Sequence, residues 1–187
     1  MICDNITVGQ NGHLYFAGQD TVELAKQYGT PLYLMDEDKI RESCRIYKNA
    51  FAKHFGENAR PLYASKANCF KRIYEIMAEE GMAIDLVSGG EVYTALKAGF
   101  PMERSFFHGN NKTDCDIAFA IDSGVGYFVI DNFEEIQAVN LMARDKGIIQ
   151  RHCFALPPVL TPTPTKKFQP VTLILNLALR LQQVWLT

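Results

Sequence analysis

Short apolar runs that alternate with amphipathic helical segments dominate the first 150 residues of this 187-residue chain. The runs recur about every 23 to 25 residues, and each is followed by apolar residues at helical spacing. Continuous apolar strands between helices are typical of a parallel sheet. The pattern therefore predicts an α/β fold with five strand–helix units, whose strands lie at residues 31–35, 60–64, 83–87, 105–108 and 127–130.

Two parallel architectures fit five such units, an open doubly wound sheet and a (β/α)8 barrel. A dinucleotide-binding sheet carries a G-x-G-x-x-G motif after its first strand, but here the first run leads into Met35-Asp36-Glu37-Asp38. A whole barrel needs about 250 residues. The units in residues 31–147 therefore predict an incomplete barrel of the TIM type.

Charge, apolar runs and cysteine spacing limit the partners and the cellular compartment that we expect. The net charge of −2 gives no reason to expect nucleic acid or an anionic membrane surface. We expect no membrane span, because no apolar run approaches 18 residues, and the N-terminus lacks the basic start and apolar run of a signal peptide. The five cysteines are scattered and never form C-x-x-C, which predicts reduced thiols in a cytoplasmic protein and no metal site.

Lys66 is the first candidate for chemistry. In barrels the functional residues lie at the C-terminal ends of strands, and Lys66 follows the second predicted strand between small residues. An amine held in such a place loses hydration and becomes a usable Schiff-base nucleophile. A surface lysine at a strand end is the alternative that the spacing leaves open.

Two further candidates follow the next strands. Asp85 could pair with a protonated pyridine nitrogen or a substrate amine, or it could be an ordinary loop aspartate. His108 could stack on a flat cofactor ring or act as an acid or base, or it could be structural. Gly89-Gly90 stands before a predicted helix and is a weak candidate for holding a phosphate.

Three motifs at successive strand ends carry a family resemblance. Y-A-S-K-A-N surrounds Lys66, D-L-V-S-G-G-E begins nineteen residues after that lysine at Asp85, and H-G-N-N-K begins at His108. In this order they resemble the diaminopimelate decarboxylases, a family of pyridoxal-phosphate (PLP) decarboxylases with an alanine-racemase-like barrel. The resemblance covers roughly residues 5–150, including G-x-L-Y-F-x-G-x-D at residues 12–20.

The resemblance implies the cofactor and the roles of the site residues. Lys66 would be the catalytic residue that binds PLP covalently. The other cofactor-binding residues would be Asp85, Ser88 and His108. The supporting residues would be Glu91, Ala64 and Asn68.

The resemblance also implies an activity. It is the PLP-dependent decarboxylation of meso-2,6-diaminopimelate to L-lysine and CO2, the last step of lysine biosynthesis, by a homodimer that takes a small amino-acid substrate. Decarboxylases of the ornithine and arginine type share the lysine and the acidic motif, and a PLP-binding protein without turnover is a further alternative. The S-G-G-E and H-G-N-N-K forms favour diaminopimelate.

The last 37 residues differ in composition from the rest. Residues 151–187 contain no Asp, Glu or Gly but hold five of the eight prolines. We therefore predict three parts: a segment leading into the barrel at 1–30, a partial PLP-binding barrel at 31–150, and an aberrant tail at 151–187, Pro-rich and then apolar. A Pro-rich linker followed by a helix is the plainer alternative.

The origin of the tail has a specific hypothesis. The family's later motifs, which include an arginine, a Pro-Gly and S-K-F-G, are absent from the chain. Shifted by one base, with free choice of synonymous codons, the tail from Cys153 onward can encode them. We infer a one-base frameshift near codons 150 to 153. We expect residues 151–187 not to pack as a sixth strand and helix, and this truncated chain to have little or no decarboxylase activity.

Overall fold

A computed structural model describes residues 3–155 of the chain. It divides into two compact units, of which the first ends at Ala59 and the second begins at Arg60. Within the described residues, no helix has both the length and the apolar stretch that crossing a membrane requires.

The first unit contains a small antiparallel sheet and two helices. The strands pair in the order β1-β2-β3. The elements are β1 (Ile6–Val8), β2 (Leu14–Phe16), β3 (Gln19–Asp20), α1 (Thr21–Tyr28) and α2 (Glu37–Phe55). Aspartates begin both helices: the Asp20 carboxylate accepts hydrogen bonds at the start of α1, and the Asp36 carboxylate accepts one from the backbone N–H of Lys39 in α2.

The strand predicted at residues 31–35 is not formed. These residues belong to no sheet of the described chain. Tyr33 is 97% exposed, and Leu32 and Met35 are also exposed. An apolar run becomes a strand only when its backbone groups find a neighbouring strand, and here they find none, so the prediction was wrong.

The second unit is a parallel sheet with helices between its strands. Its strands lie side by side in chain order. They are β4 (Leu62–Ala64), β5 (Ala83–Leu86), β6 (Ser105–Phe107), β7 (Tyr127–Ile130) and β8 (Arg151–Phe154). The helices are α3 (Lys71–Glu79), α4 (Gly89–Lys97), α5 (Asp114–Asp122) and α6 (Phe133–Asp145).

The strand order identifies the architecture. Each strand pairs in parallel with the next one along the chain, and the order never reverses. A doubly wound sheet reverses its order at a switch point, whereas a (β/α)8 barrel does not. The α/β prediction is confirmed, and the described chain forms five consecutive strands of an incomplete barrel.

The two faces of this sheet differ in burial. The face that packs on the helices is apolar and fully buried, with Ile84, Leu86, Phe107, Phe128 and Ile130 each at most 1% exposed. The opposite face carries a row of half-buried side chains in register across four strands: Ala64, Asp85, Phe106 and Tyr127. Asp85, one of the candidate residues, lies on this opposite face.

β8 corrects the prediction for the tail. It pairs in parallel with β7 from Arg151 to Phe154, and the backbone N–H of Ala155 donates to the carbonyl of Ile130 at 2.8 Å. A sheet ladder is made by backbone groups, so four residues of unusual composition can still extend it. The expectation that the chain stops packing at residue 151 was therefore wrong for residues 151–154.

The remaining predictions for the tail stay predictions. Residues 156–187, which hold the prolines and the apolar run, lie outside the described residues. The three-part division at residues 30 and 150 also stays a prediction. So does the frameshift, which the nucleotide sequence around codons 148 to 155 would test.

Candidate active site at the strand ends

Lys66, Asp85 and His108 lie at the same edge of the sheet. Lys66 is in a 3-10 turn, Ser65–Ala67, directly after β4. Asp85 is in β5, where its register partner is Ala64 of β4. His108 follows β6, and its backbone N–H donates to the carbonyl of Leu86 at 2.7 Å, which continues the pairing with β5. The parallel sheet therefore gathers three chemically different side chains from three adjacent strands.

Lys66 is exposed in this structure. The expectation that its amine loses hydration was therefore wrong for the described chain. Ser65, the neighbouring residue, is 1% exposed, and it fixes the turn in the core while Lys66 projects from it.

The side chains of Asp85 and His108 lie beside each other at this edge. The Nδ1 atom of His108 lies 3.8 Å from the Oδ2 atom of Asp85, and both side chains are about a quarter exposed, at 24% and 23%. This distance is longer than a hydrogen bond, but it allows attraction whenever the imidazole is protonated. The carboxylate is thus free to accept a bond from a cationic group.

Ser88 and Glu91 shape the turn between β5 and α4. The Ser88 Oγ accepts a hydrogen bond from the backbone N–H of Glu91 at 3.3 Å, which caps α4. The Glu91 carboxylate reaches back and accepts one from the backbone N–H of Val87 at 2.7 Å. Burial raises the pKa of Glu91, and the nearby charge of Asp85 raises it further, against the Val87 hydrogen bond that lowers it.

Ala64 and Asn68 support the turn that carries Lys66. Ala64 is a half-buried residue beside Asp85 in the register of the sheet. The carbonyl of Asn68 accepts a hydrogen bond from the Tyr63 hydroxyl at 2.9 Å, and the Asn68 side chain accepts one from the backbone N–H of Phe70 at 3.3 Å. These contacts hold both ends of the turn around Lys66.

Gly89-Gly90 is a poor phosphate site in this structure. A carboxylate oxygen of Asp116 packs so closely on Gly89 that a Cβ there would come within 2.5 Å of it. The same Asp116 side chain takes part in the capping box of α5 with Thr113. A fixed negative charge at the start of α4 repels an anion, so the geometry argues against the phosphate hypothesis at these glycines.

A buried ion pair beside the site was missed by the sequence analysis. The Lys112 ammonium lies 2.5 Å from the Oε1 atom of Glu135, and the two side chains are only 2% and 6% exposed. Lys112 ends the H-G-N-N-K motif, whereas Glu135 belongs to none of the three motifs. No periodicity links two residues in different strand–helix units, so only the motif hinted at a role for Lys112.

Comparison with known proteins finds a matching family and similar structures. Residues 37–153 match the model of the pyridoxal-dependent decarboxylases, pyridoxal binding domain. Over 141 residues the chain is 44% identical to diaminopimelate decarboxylase of Bacillus methanolicus, which covers 75% of this chain and 32% of the relative. The chain thus spans about a third of the length of the curated relatives it matches.

Two solved structures are similar in fold. Diaminopimelate decarboxylase of M. jannaschii in complex with L-lysine is 31% identical, with a TM-score of 0.70, over 81% of this chain and 35% of that one. Lysine/ornithine decarboxylase of Vibrio vulnificus in complex with putrescine is 29% identical, with a TM-score of 0.60, over 72% and 35%. Both similarities extend over most of the described residues.

Proposed function

We propose, since this chain belongs to the pyridoxal-dependent decarboxylase family, that it binds PLP through Lys66 as the cofactor-binding part of a diaminopimelate decarboxylase. The observation that carries the proposal is the gathering of Lys66, Asp85 and His108 at the ends of three adjacent parallel strands. The activity proposed for the whole protein is decarboxylation of meso-2,6-diaminopimelate to L-lysine and CO2.

The side chains of the site fit the cofactor. PLP carries an aldehyde that reacts with a primary amine, and the exposed Lys66 supplies that amine. It also carries a ring nitrogen that can be protonated, and the Asp85 carboxylate can pair with such a cation. The Asp116 carboxylate lies against Gly89 and would repel the phosphate of PLP there. Other residues must therefore hold the phosphate.

The chain's own residues have distinct roles in this proposal. Bound PLP supplies the electron sink that lets an amino acid lose its carboxylate. Lys66 holds the cofactor and fixes its position relative to the sheet. Asp85 orients a cationic partner, and His108 can hold or release a proton beside it. Glu91 and Ser88 keep the end of β5 in place through the start of α4.

Partners and location follow from the same proposal. We expect a small amino-acid substrate, and a homodimer for the whole protein, as the family resemblance implies. The scattered cysteines favour a reducing compartment, so we propose that the protein works in the cytoplasm.

Covalent labelling tests the role of Lys66. PLP is added to the 187-residue chain, the complex is reduced with borohydride, and the modified peptide is identified by mass spectrometry. We expect the label on the peptide that contains residues 63–68, and its loss in Lys66→Ala. The matched control is Lys97→Ala, an exposed lysine of α4, which should leave labelling unchanged. A label on Lys97 or Lys112 would contradict the assignment.

The substrate has one alternative with a specific observation behind it, because the similar lysine/ornithine decarboxylase shares the fold. Absorbance of the PLP-loaded chain can be followed while diaminopimelate, ornithine or arginine is added. A spectral change at the lowest concentration with diaminopimelate supports the proposal, and a preference for ornithine or arginine supports the alternative.

A further inference from the structure

Lys112 is a buried cation with all of its hydrogen bonds made. Its ammonium donates to the carbonyl of Gly109 at 2.7 Å, to the carbonyl of Val129 at 2.9 Å, and to the carboxylate of Glu135 at 2.5 Å. An ammonium has three donors, so each finds an acceptor. The ring of Phe107 lies below it, with its centroid 5.7 Å from Nζ.

These contacts join three elements at the edge that carries the site. Gly109 belongs to the loop after β6, Val129 to β7, and Glu135 to the first turn of α6. The backbone N–H of Glu135 is itself held by the Asn132 side chain at 2.7 Å. Lys112 is therefore anchored in rigid parts of the sheet and helix, and from there it reaches the loop.

His108 is the first residue of this loop, directly after β6. Its backbone N–H is tied to the carbonyl of Leu86 in β5, and the carbonyl of the next residue, Gly109, is tied to Lys112. Gly109 has a φ of 119°, a backbone conformation that residues other than glycine rarely adopt. The chain on both sides of the His108 side chain is thus fixed, which places the imidazole beside Asp85.

We propose that Lys112 is a positioning residue, which holds His108 beside Asp85 through the carbonyl of Gly109, with Glu135 as the counter-charge that permits its burial. The link to cofactor binding rests on the function proposed above. The positioning of His108 by Lys112 does not depend on that function, because it concerns only contacts within this chain.

Stability alone does not account for this pair. Desolvating two charges is unfavourable, and apolar residues of similar volume often replace a buried ion pair without loss of stability. An apolar side chain at position 112 could fill the same space, but it could not donate a hydrogen bond to Gly109. The feature that only the lysine provides is therefore control of the loop.

The test uses the 187-residue chain with the double substitution K112M/E135L. Removing both charges avoids the buried, unpaired charge that either single substitution would leave. The readout is the NMR signal of the His108 imidazole, compared before and after Asp85→Asn. In the wild-type background we expect the signal to shift, because Asp85 lies beside the ring. In K112M/E135L we expect most of that response to be lost while the melting temperature stays near that of the wild type.

The matched control is the pair of Lys146 and Asp122, which joins α6 to the end of α5 away from this edge. K146M/D122L should leave the response of His108 to Asp85→Asn intact. A full response in folded K112M/E135L overturns the proposal. Loss of the folded core in K112M/E135L also overturns it, since the pair would then be a requirement of folding rather than of position.

Labelling of Lys66 by PLP gives a second readout. We expect K112M/E135L to need more PLP than K146M/D122L for half-maximal labelling. If the wild-type chain is not labelled at Lys66, the proposed function fails while the NMR result still decides the role of Lys112. Equal labelling of the two double variants would overturn the link between position and cofactor binding.

Discussion

The carboxylate of Glu91 accepts a hydrogen bond from the backbone N–H of Val87 at 2.7 Å, across the turn from β5 to α4. Glu91 is 8% exposed and reaches back from the first turn of the helix. The residue thus fixes the end of the strand that carries Asp85. A buried carboxylate with one backbone partner and a second carboxylate nearby also makes the stability of this turn depend on pH.

Glu91→Gln should change that dependence. Because burial raises the pKa of Glu91, the folded chain binds this proton more tightly than the unfolded chain. The stability from this group is present below the ordinary glutamate range and is lost as pH rises through the raised pKa. Glutamine can accept the same hydrogen bond without titrating. We therefore expect E91Q to gain stability relative to the wild type as pH rises.

Urea unfolding of both chains at several pH values, from about 4 to 8, measures this difference. Other acidic groups titrate in both proteins and cancel. Parallel stability curves would show that Glu91 ionises in the folded chain as it does in the unfolded one.

Asp85→Asn should weaken PLP binding. The Asp85 carboxylate near the end of β5 can pair with a cation, and a hydrogen bond to a charged partner contributes about 1.5–3 kcal/mol. We expect the dissociation constant of PLP, measured by absorbance titration, to rise by about tenfold or more. Asp145→Asn, an exposed aspartate at the end of α6, is the matched control. Equal affinities for the two variants would remove Asp85 from the site.

Much of the sheet is predictable from the sequence, because its strands are buried apolar runs between amphipathic helices. The four runs from residue 60 to residue 130 become β4 to β7 for this reason. The run at residues 31–35 is also apolar, but it pairs with no strand among residues 3–155. β8 contains Arg151 and His152, so it lacks the apolar signature, yet the free backbone edge of β7 pairs with it. Pairing partners are a property of the fold that composition does not carry.

The candidate site likewise has a part that the sequence predicts and a part that it does not. The placement of Lys66, Asp85 and His108 at one edge is predictable because the ends of adjacent parallel strands meet there. The pairing of Lys112 with Glu135 is not, because it depends on a contact over 23 residues of sequence between the loop after β6 and the first turn of α6. The carboxylate of Asp116 against Gly89 is a similar case. Contacts of this kind depend on the packing of one strand–helix repeat against the next, whereas sequence spacing describes only the residues within one repeat.

Substitutions of two aromatic residues should separate a real strand from the apolar run. Phe128 in β7 is fully buried, whereas Tyr33 is 97% exposed. We expect Phe128→Ala to reduce the free energy of unfolding by about 3–5 kcal/mol. Tyr33→Ala should change it by no more than about 0.5 kcal/mol. Denaturant unfolding measures both, and a loss of several kcal/mol in Tyr33→Ala would restore the buried strand at residues 31–35.

Two chains that differ only by β8 should differ in stability. A chain that stops after Ala155 keeps the ladder between β7 and β8, and a chain that stops after Gln150 loses it. Each backbone hydrogen bond contributes about 0.5–1.5 kcal/mol, and Arg151 also stacks over the Tyr127 ring at 4.7 Å. We therefore expect the longer chain to melt several degrees higher, about what a few kcal/mol produce in a domain of this size. Calorimetry of the two chains under the same conditions measures the difference. Equal melting temperatures would mean that β8 contributes nothing and that the folded part ends at residue 150, as its composition predicted.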